Sequence, residues 1–334
     1  MHRFDFVALG DTVTDEFIQL KDVRIDTNRD PEDKGYKEIC FRFGDKVEYE
    51  SVKIIPAVGN AANAAVAATR LGLKTAFVTD IGGDDLGTKK LDALKANGVD
   101  CEYVHVHESM ESNHHYVLRY KAERTILIKH WDYPYTLPQN LEPPRWLYFS
   151  SVGEHGLPYH HEIARYLKAH PEIKLAFQPG TYQINVGVEA IKDIYEETDI
   201  FFCNKEESWR ILNNDEKDIV KQLVALRALG PKLAVITDGT NGAYADDGNE
   251  VWFMPMYPDV NPPVDRTGAG DAFSSTFTAA VAAGKPINEA LSWAPINSMS
   301  VVQYIGAQEG LLTRKQLEKY LREASQDYTP KKIG

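Results

Sequence analysis

The sequence predicts an α/β fold with a doubly wound, mostly parallel β-sheet that carries helices on both faces. Short apolar runs bounded by turn residues alternate with segments of helical periodicity through most of the 334 residues. Alternation of this kind is typical of βαβ units, in which helices connect parallel strands. Hydrophobic residues make up 43% of the chain, which is enough for a large core at this length.

The predicted elements follow one another along the chain. Strands are expected at 4–9, 75–79, 146–150, 174–177, 200–203 and 233–237. Helices are expected at 60–71, 85–96, 159–168, 188–195, 217–229 and 272–283. Gly72 and Asn97-Gly98 stand directly after two of these helices, where such residues are typical stop signals.

Two stretches interrupt the alternation. Residues 16–57 contain a charged loop rich in Asp and Lys, and then, at 38–55, a pattern around Gly44-Asp45 that predicts a hairpin. We interpret 16–56 as a small β lid inserted into a main domain formed by 1–15 and 57–330. A second pair of strand-like runs, within 114–130, either contributes strands to the lid or extends the main sheet.

Charge and cysteine content restrict the classes of function. The net charge is −12, and a field of this sign repels nucleic acid and anionic membranes, so neither is an expected partner. The three cysteines form no CxxC pair, which argues against a disulfide framework. The first 15 residues lack the long apolar core of a secretory signal, so we expect a cytoplasmic protein.

The segment 264–273, Val-Asp-Arg-Thr-Gly-Ala-Gly-Asp-Ala-Phe, carries the clearest chemical signal. Its small residues let the backbone approach a ligand, and the helical pattern that follows places them at a helix N-terminus. Unpaired amides and the helix dipole make such a terminus an anion site. Asp271 is then either an ordinary residue of the first helical turn or a base that accepts the proton of an attacking hydroxyl.

The stretch 265–273 resembles the C-terminal signature of the ribokinase-like (pfkB-type) carbohydrate kinase family. The resemblance implies a ribokinase-like fold with a small β-sheet lid. It also implies an ATP-dependent kinase that transfers a phosphoryl group to the hydroxymethyl group of a sugar or sugar-like molecule. In this interpretation Asp271 is the general base. The anion hole is formed by the amides of Gly268, Ala269 and Gly270.

The family's acceptor-binding motifs have counterparts nearer the N-terminus. The segment 59–65 resembles the N-terminal signature, which implies that Gly59 and Asn63 contact substrate hydroxyls, although Val58 stands where the family usually has a second glycine. Asp15 matches an aspartate that binds paired sugar hydroxyls. Asp11 is expected to be a solvated loop carboxylate.

The nucleotide and metal positions come from shorter resemblances. Asn204 and Glu207 match an Asn-x-x-Glu motif that organises Mg²⁺, largely through water, although a plain helix start gives the same letters. Asp265 resembles a residue near which some relatives hold a monovalent cation such as K⁺. The nucleotide contacts implied by the resemblance are Asn204, Thr237, Gly239, Gly242, Thr267, Gly268, Gly270 and Asn297.

The sequence does not decide which molecule accepts the phosphoryl group or whether the protein forms oligomers. The family includes sugar and nucleoside kinases, and a nucleoside needs an apolar slot for its base, for which the sequence offers Phe17, Phe41, Phe43 or Tyr116. The alternative from another class is a non-catalytic sugar or nucleotide sensor on the same fold. An exposed edge of the lid is a candidate surface for a homodimer.

Overall fold

The structure, a computed structural model, describes residues 2–27, 37–121 and 123–334. Its strands are β1 (Phe6–Leu9), β2 (Val13–Leu20), β3 (Arg24–Thr27), β4 (Lys37–Cys40), β5 (Tyr49–Val58), β6 (Thr75–Gly82), β7 (Val104–His107), β8 (His114–Tyr120), β9 (Glu123–Lys129), β10 (Trp146–Phe149), β11 (Lys174–Phe177), β12 (Ile200–Asn204), β13 (Leu233–Thr237), β14 (Ala243–Asp246), β15 (Val251–Met254) and β16 (Lys331–Lys332). Its α-helices are α1 (Asn60–Arg70), α2 (Asp85–Ala96), α3 (Leu157–Ala169), α4 (Thr181–Val186), α5 (Lys192–Glu197), α6 (Lys205–Leu212), α7 (Ile219–Arg227), α8 (Ala269–Ala282), α9 (Ile287–Val301) and α10 (Arg314–Glu323). Within the described ranges, no helix is long and apolar enough to cross a membrane.

The main sheet confirms the predicted doubly wound architecture. Over the described residues it has ten strands in the order β16-β15-β14-β13-β12-β11-β10-β1-β6-β7. The strands from β13 to β7 pair in parallel, and β14, β15 and β16 extend the sheet antiparallel. One core packs α1, α8 and α9 against one face, and a second core packs α3, α5 and α7 against the other. The carboxyl ends of the parallel strands therefore meet at one edge, where open α/β sheets bind ligands.

A second sheet, which we call the small sheet, has the order β5-β2-β8-β9. The strand pair within 114–130 therefore joins this sheet and does not extend the main one. The hairpin predicted around Gly44-Asp45 is wrong, because β4 pairs with β3 while the long β5 pairs with β2. The charged loop falls partly at 28–36, outside the described residues. β2 begins at Val13 and crosses the predicted boundary at 15/16, and the division into domains stays a prediction.

The small sheet has an inner face turned toward the main domain and an outer face turned to solvent. Phe17 and Val117 are 3% and 1% exposed on the inner face, whereas Tyr116, one residue away, is 43% exposed on the outer face. Successive strand side chains alternate between faces, so Asp15 and its register partner His115 lie on the inner face with Phe17. The sheet thus brings a carboxylate and an imidazole together on its inner face.

Candidate active site

The glycine loop 268–270 forms the N-terminus of α8. Gly268 is the N-cap residue with φ 78°, a left-handed conformation that strongly favours glycine. A Cβ at this position would lie 2.8 Å from the Cα of Ala307, so the space is closed to a side chain as well. The first amides of α8 have no partner within the helix and, with the helix dipole, favour an anion at this end.

Asp271 lies in the first turn of α8, but side chains from other elements hold its carboxylate. Oδ2 accepts a hydrogen bond from Asn63 Nδ2 at 2.8 Å, and Oδ1 accepts one from Gln178 Nε2 at 3.1 Å. Burial raises the pKa of Asp271 above the usual range, while the two amide donors oppose this shift. The arrangement is therefore a buried carboxylate with raised basicity and a fixed orientation.

Asn63 connects Asp271 with a further buried amide. Its Oδ1 accepts a hydrogen bond from Gln308 Nε2 at 3.0 Å, and the same Nε2 donates to the carbonyl of Ala57 at 2.7 Å. Gly59 is the N-cap of α1 with φ 115°, and a Cβ there would meet the carbonyl oxygen of Asp11 at 3.0 Å. The predicted residues Gly59 and Asn63 thus lie beside the loop that leads from β1 into the small sheet.

Asp15 belongs to a chain of buried polar groups. Its Oδ1 lies 3.3 Å from His115 Nδ1, and the Nε2 atoms of His115 and His130 lie 2.9 Å apart. His130 Nδ1 lies 3.4 Å from Asp11 Oδ2, and the Tyr135 hydroxyl donates to Asp11 Oδ1 at 2.9 Å. Asp11 is only 4% exposed. The expectation of a solvated loop carboxylate at Asp11 is therefore wrong, because the loop carries it inward to Tyr135.

A cavity of about 260 Å³ opens beside His130. Aromatic side chains supply much of its wall, with charged groups of both signs between them. Its lining residues are Ile128, Lys129, His130, Trp131, Asp132, Tyr135, Gly153, Glu154, His155 and Tyr182. The slot residues expected from sequence lie elsewhere: Phe41, Phe43 and Tyr116 are exposed, and Phe17 is buried in the small sheet.

A larger cavity of about 490 Å³ lies at the N-terminus of α8. The predicted nucleotide contacts Asn204, Thr237, Gly239, Gly242 and Gly270 line it together with Ala269. The structure does not bring the other three predicted contacts, Thr267, Gly268 and Asn297, to this wall. Asn297 is fully buried, where it donates to Thr276 Oγ1 at 2.8 Å and accepts from the Leu312 amide at 2.9 Å. Thr267 directs its amide and hydroxyl to Asp265.

Asn204 and Glu207 form a reciprocal capping box at the start of α6. The amide of Asn204 donates to Glu207 Oε2, and the amide of Glu207 donates to Asn204 Oδ1, both at 2.8 Å. Burial raises the pKa of Glu207, and the negative charge of Asp271 raises it further. A partly buried carboxylate whose negative charge is destabilised by another carboxylate favours a nearby cation. The donor set of carboxylate and carboxamide oxygens therefore fits Mg²⁺.

Asp265 holds the glycine loop in place. Its Oδ1 accepts hydrogen bonds from the Thr267 amide at 3.0 Å and the Thr267 hydroxyl at 2.7 Å, and its Oδ2 accepts from the Gly306 amide at 3.2 Å. Arg124 of the small sheet places Nη1 3.3 Å from the same carboxylate. A guanidinium already supplies positive charge here, and a monovalent cation at Asp265 stays a prediction.

Comparison with known proteins places the chain in a family. The family model for pfkB carbohydrate kinases matches residues 26–314. The chain belongs to the pfkB family. The ribokinase of Bacillus subtilis (strain 168) is 30% identical over 286 residues, which cover 83% of this chain and 92% of that protein. The expected pfkB family and the class of ATP-dependent kinase are thereby confirmed.

Further relatives of this pfkB kinase include different acceptor classes. A nucleoside kinase of Methanothermobacter thermautotrophicus is 26% identical and covers 76% of this chain and 80% of that protein. Among solved structures, Arabidopsis thaliana ribokinase complexed with ribose and ATP matches with a TM-score of 0.78 at 20% identity, over 95% of this chain and 98% of that chain. The nucleoside kinase of Methanocaldococcus jannaschii matches with a TM-score of 0.76 at 18% identity, with the same coverage. These structures confirm the ribokinase-like fold.

Sequence reasoning missed four residues of the site. Gln178 directly follows β11, and the rule that ligands bind at carboxyl ends of strands gives a signal for it. Gln308, His130 and Tyr135 lie in loops. No local spacing connects them to Asp271 or Asp11, so no comparable signal was present.

Proposed function

We propose that this pfkB kinase transfers the γ-phosphoryl group of ATP to a hydroxymethyl group of a sugar or sugar-like small molecule. The observation that carries the proposal is the position of Asp271. It directly follows Gly270 in the wall of the large cavity, and its carboxylate bonds to Asn63 at the predicted acceptor end. One buried carboxylate therefore connects the two ends of the site, as a base between donor and acceptor must.

The residues divide the chemistry among themselves. Asp271 accepts the proton of the attacking hydroxyl, for which its buried state gives a more basic carboxylate than an exposed aspartate. Phosphoryl transfer relies mainly on positioning and on stabilisation of charge. Asp15 and Asn63 hold acceptor hydroxyls, and the amides of 268–270 face the charge on the transferring group.

ATP and Mg²⁺ are the proposed donor and metal. A putative ribokinase II from E. coli, solved in complex with ATP and Mg²⁺, matches this chain with a TM-score of 0.73. Here Asn204 and Glu207 would hold the metal, largely through water, near the large cavity. Mg²⁺ supplies positive charge that neutralises the phosphates. K⁺ at Asp265 is a separate prediction, tested by the dependence of activity on monovalent salts.

A nucleoside is the second candidate acceptor. The specific observation in its favour is the cavity beside His130, whose aromatic residues Trp131, Tyr135 and Tyr182 could stack with a base. A sugar would use the same cavity through its polar groups. The choice between them is made by the acceptor panel below.

The test is ADP release with Mg-ATP and a panel of acceptors: ribose, fructose, 2-keto-3-deoxygluconate, fructose 6-phosphate, adenosine, guanosine, cytidine and none. We expect acceptor-dependent turnover that falls by about 10²- to 10⁴-fold in Asp271→Asn, because the general base is lost. Asp92→Asn, which removes an exposed carboxylate on α2 outside both cavities, serves as the control and should retain turnover of the same order.

Two results would contradict the proposal. Full turnover in Asp271→Asn would remove the base from the mechanism. Binding of ATP and of an acceptor without any phosphoryl transfer would favour the sensor.

We also propose a homodimer through the small sheet in a cytoplasmic enzyme. The outer face exposes Ile54, Tyr116 and Leu127, and a surface of this kind commonly forms an interface. Sedimentation of the wild type and of Tyr116→Lys measures the oligomeric state directly. A monomeric wild type would contradict it.

A further inference from the structure

Two imidazoles connect two carboxylates at the acceptor end. Asp15 and His115 lie on neighbouring strands of the small sheet, whereas His130 follows β9 and Asp11 lies between β1 and β2. The order of contacts is Asp15, His115, His130, Asp11, with successive separations of 3.3, 2.9 and 3.4 Å. The side chains of all four are at most 20% exposed.

The contacts in this chain of side chains differ in kind. The Nε2 atoms of His115 and His130 form a hydrogen bond at 2.9 Å. The Nδ1 atoms lie 3.3 Å from Asp15 Oδ1 and 3.4 Å from Asp11 Oδ2, and neither contact has hydrogen-bond geometry. Among the described residues, His130 Nδ1 is buried without a hydrogen-bond partner.

The two oxygens of Asp15 differ in their surroundings. Within the part of the chain that the structure describes, Oδ1 is enclosed without a hydrogen-bond partner, because its contact with His115 has poor hydrogen-bond geometry. A buried carboxylate oxygen without a donor is costly, which makes the nearby His115 important for this oxygen. Oδ2 is not among the enclosed atoms, so it is the oxygen that an acceptor hydroxyl can reach.

The pair is not a metal site. Zn²⁺ bound at 2.0–2.1 Å from each of two nitrogens keeps those nitrogens more than about 3 Å apart, and here Nε2 faces Nε2 at 2.9 Å. The contact is a hydrogen bond between the two rings.

We propose that His115 and His130 are positioning residues that hold the Asp15 carboxylate in the orientation that binds the acceptor. The inference rests on the proposed function, in which Asp15 binds acceptor hydroxyls. His115 fixes Asp15 from the neighbouring strand, and His130 anchors His115 to Asp11, which Tyr135 holds in turn. The pair acts on the acceptor and has no contact with the cavity assigned to ATP.

The chain contains a matched control one residue away. His114 Nε2 lies 3.3 Å from Glu16 Oε2, so it makes the same kind of histidine–carboxylate contact on the same two strands, but on the outer face. We expect His115→Ala to raise the acceptor KM by roughly ten- to a hundredfold, with kcat and the ATP KM changed by less than about threefold. His114→Ala should leave all three constants near wild type. His115→Gln, which keeps a polar side chain able to donate and accept, should recover part of the acceptor affinity.

The outcomes separate this inference from the proposed function. If the wild type shows no acceptor-dependent turnover, or Asp271→Asn retains it, the proposed function fails. If turnover behaves as proposed but His115→Ala and His114→Ala have equal acceptor KM values, the inference is overturned while the kinase assignment stands. Equal rises in the acceptor and ATP KM of His115→Ala would also overturn it, as they would indicate general disorder. Should His115→Ala fail to fold, His115→Asn compared with His114→Asn provides the same test.

Discussion

The two ends of the active site differ in what lines them. The large cavity is bounded by turns and small residues, among them Gly239, Gly242 and Gly270. The proposed acceptor end is built from polar side chains that contact one another, including Asp11, Asp15 and Asn63. Backbone amides and a helix N-terminus recognise a phosphate group whatever is attached to it. A network of oriented side chains can instead discriminate between acceptors, so specificity of this enzyme should depend on the second region.

The largest expected effect tests the backbone end with a matched pair of glycines. Gly268→Ala should lower stability by more than about 1–2 kcal/mol and raise the ATP KM, because φ 78° is unfavourable for alanine and the Cβ would meet Ala307. Gly270→Ala should keep stability near wild type, since the nearest atom to its Cβ is Gln178 Nε2 at 3.9 Å. Denaturant unfolding measures both variants, and the ATP KM is compared with wild type only for Gly268→Ala, because Gly270 itself lines the cavity assigned to ATP. An equal loss of stability in the two variants would contradict the assigned role of the loop conformation.

An intermediate effect tests the side-chain network through the pKa of Asp271. The hydrogen bond from Gln178 lowers that pKa against the raising effect of burial. Gln178→Met should therefore raise the pKa of Asp271 further. A base must be deprotonated to act, so the acidic limb of the kcat–pH profile should move to higher pH, by up to about one unit.

The control for this shift is Gln183, a buried glutamine. Gln183 donates to the Ser150 carbonyl at 3.1 Å and accepts from the Gly180 amide, and its hydrogen bonds do not involve Asp271. Gln183→Met should lower stability without moving the acidic limb. If the acidic limb of the kcat–pH profile moves equally in both variants, the hydrogen bond from Gln178 has no specific effect on the pKa of Asp271.

The same difference between the two ends explains what could be predicted from sequence. The glycine loop and Asp271 occupy one contiguous segment, so local spacing and helical periodicity were sufficient to place them at the N-terminus of α8. The parallel strands could also be predicted from local patterns, and the predicted spans 174–177 and 233–237 coincide with β11 and β13.

The acceptor end depends on contacts between residues far apart in the chain. Gln308 reaches Asn63 across 245 positions, and Tyr135 reaches Asp11 across 124. No periodicity reports such contacts. Asp11 was misjudged for the same reason, because its burial is determined by Tyr135 and not by its neighbours. Asn297 shows the converse, since its helix lines the large cavity while its own side chain turns inward to Thr276.

The smallest expected effect concerns a buried lysine beneath the acceptor end. Lys90 is fully buried and donates to the carbonyls of Asn113 at 2.8 Å and Thr12 at 3.3 Å, the residues that precede β8 and β2. Burial lowers its pKa to about 7, although the nearby carboxylates, including Asp84, oppose the shift. In the unfolded chain Lys90 has the ordinary lysine pKa of about 10.4. Between about pH 7 and 10 the unfolded state therefore binds more protons, and the free energy of unfolding should rise with pH.

The free energy of unfolding should rise with pH by at most ~1.4 kcal/mol per pH unit. This rise should be absent below about pH 7, where Lys90 is charged in both the folded and the unfolded state. Lys90→Met should abolish this rise, because the group that titrates is removed. Lys89→Met, a substitution at the exposed neighbour on α2, should preserve it. Denaturant unfolding from pH 6 to 9.5 avoids most tyrosine ionisation and measures all three proteins. If the wild-type slope persists in Lys90→Met, the titration of Lys90 does not cause it. Lys90 would then stay charged in the folded protein, stabilised by the carboxylates of Asp11, Asp15 and Asp84.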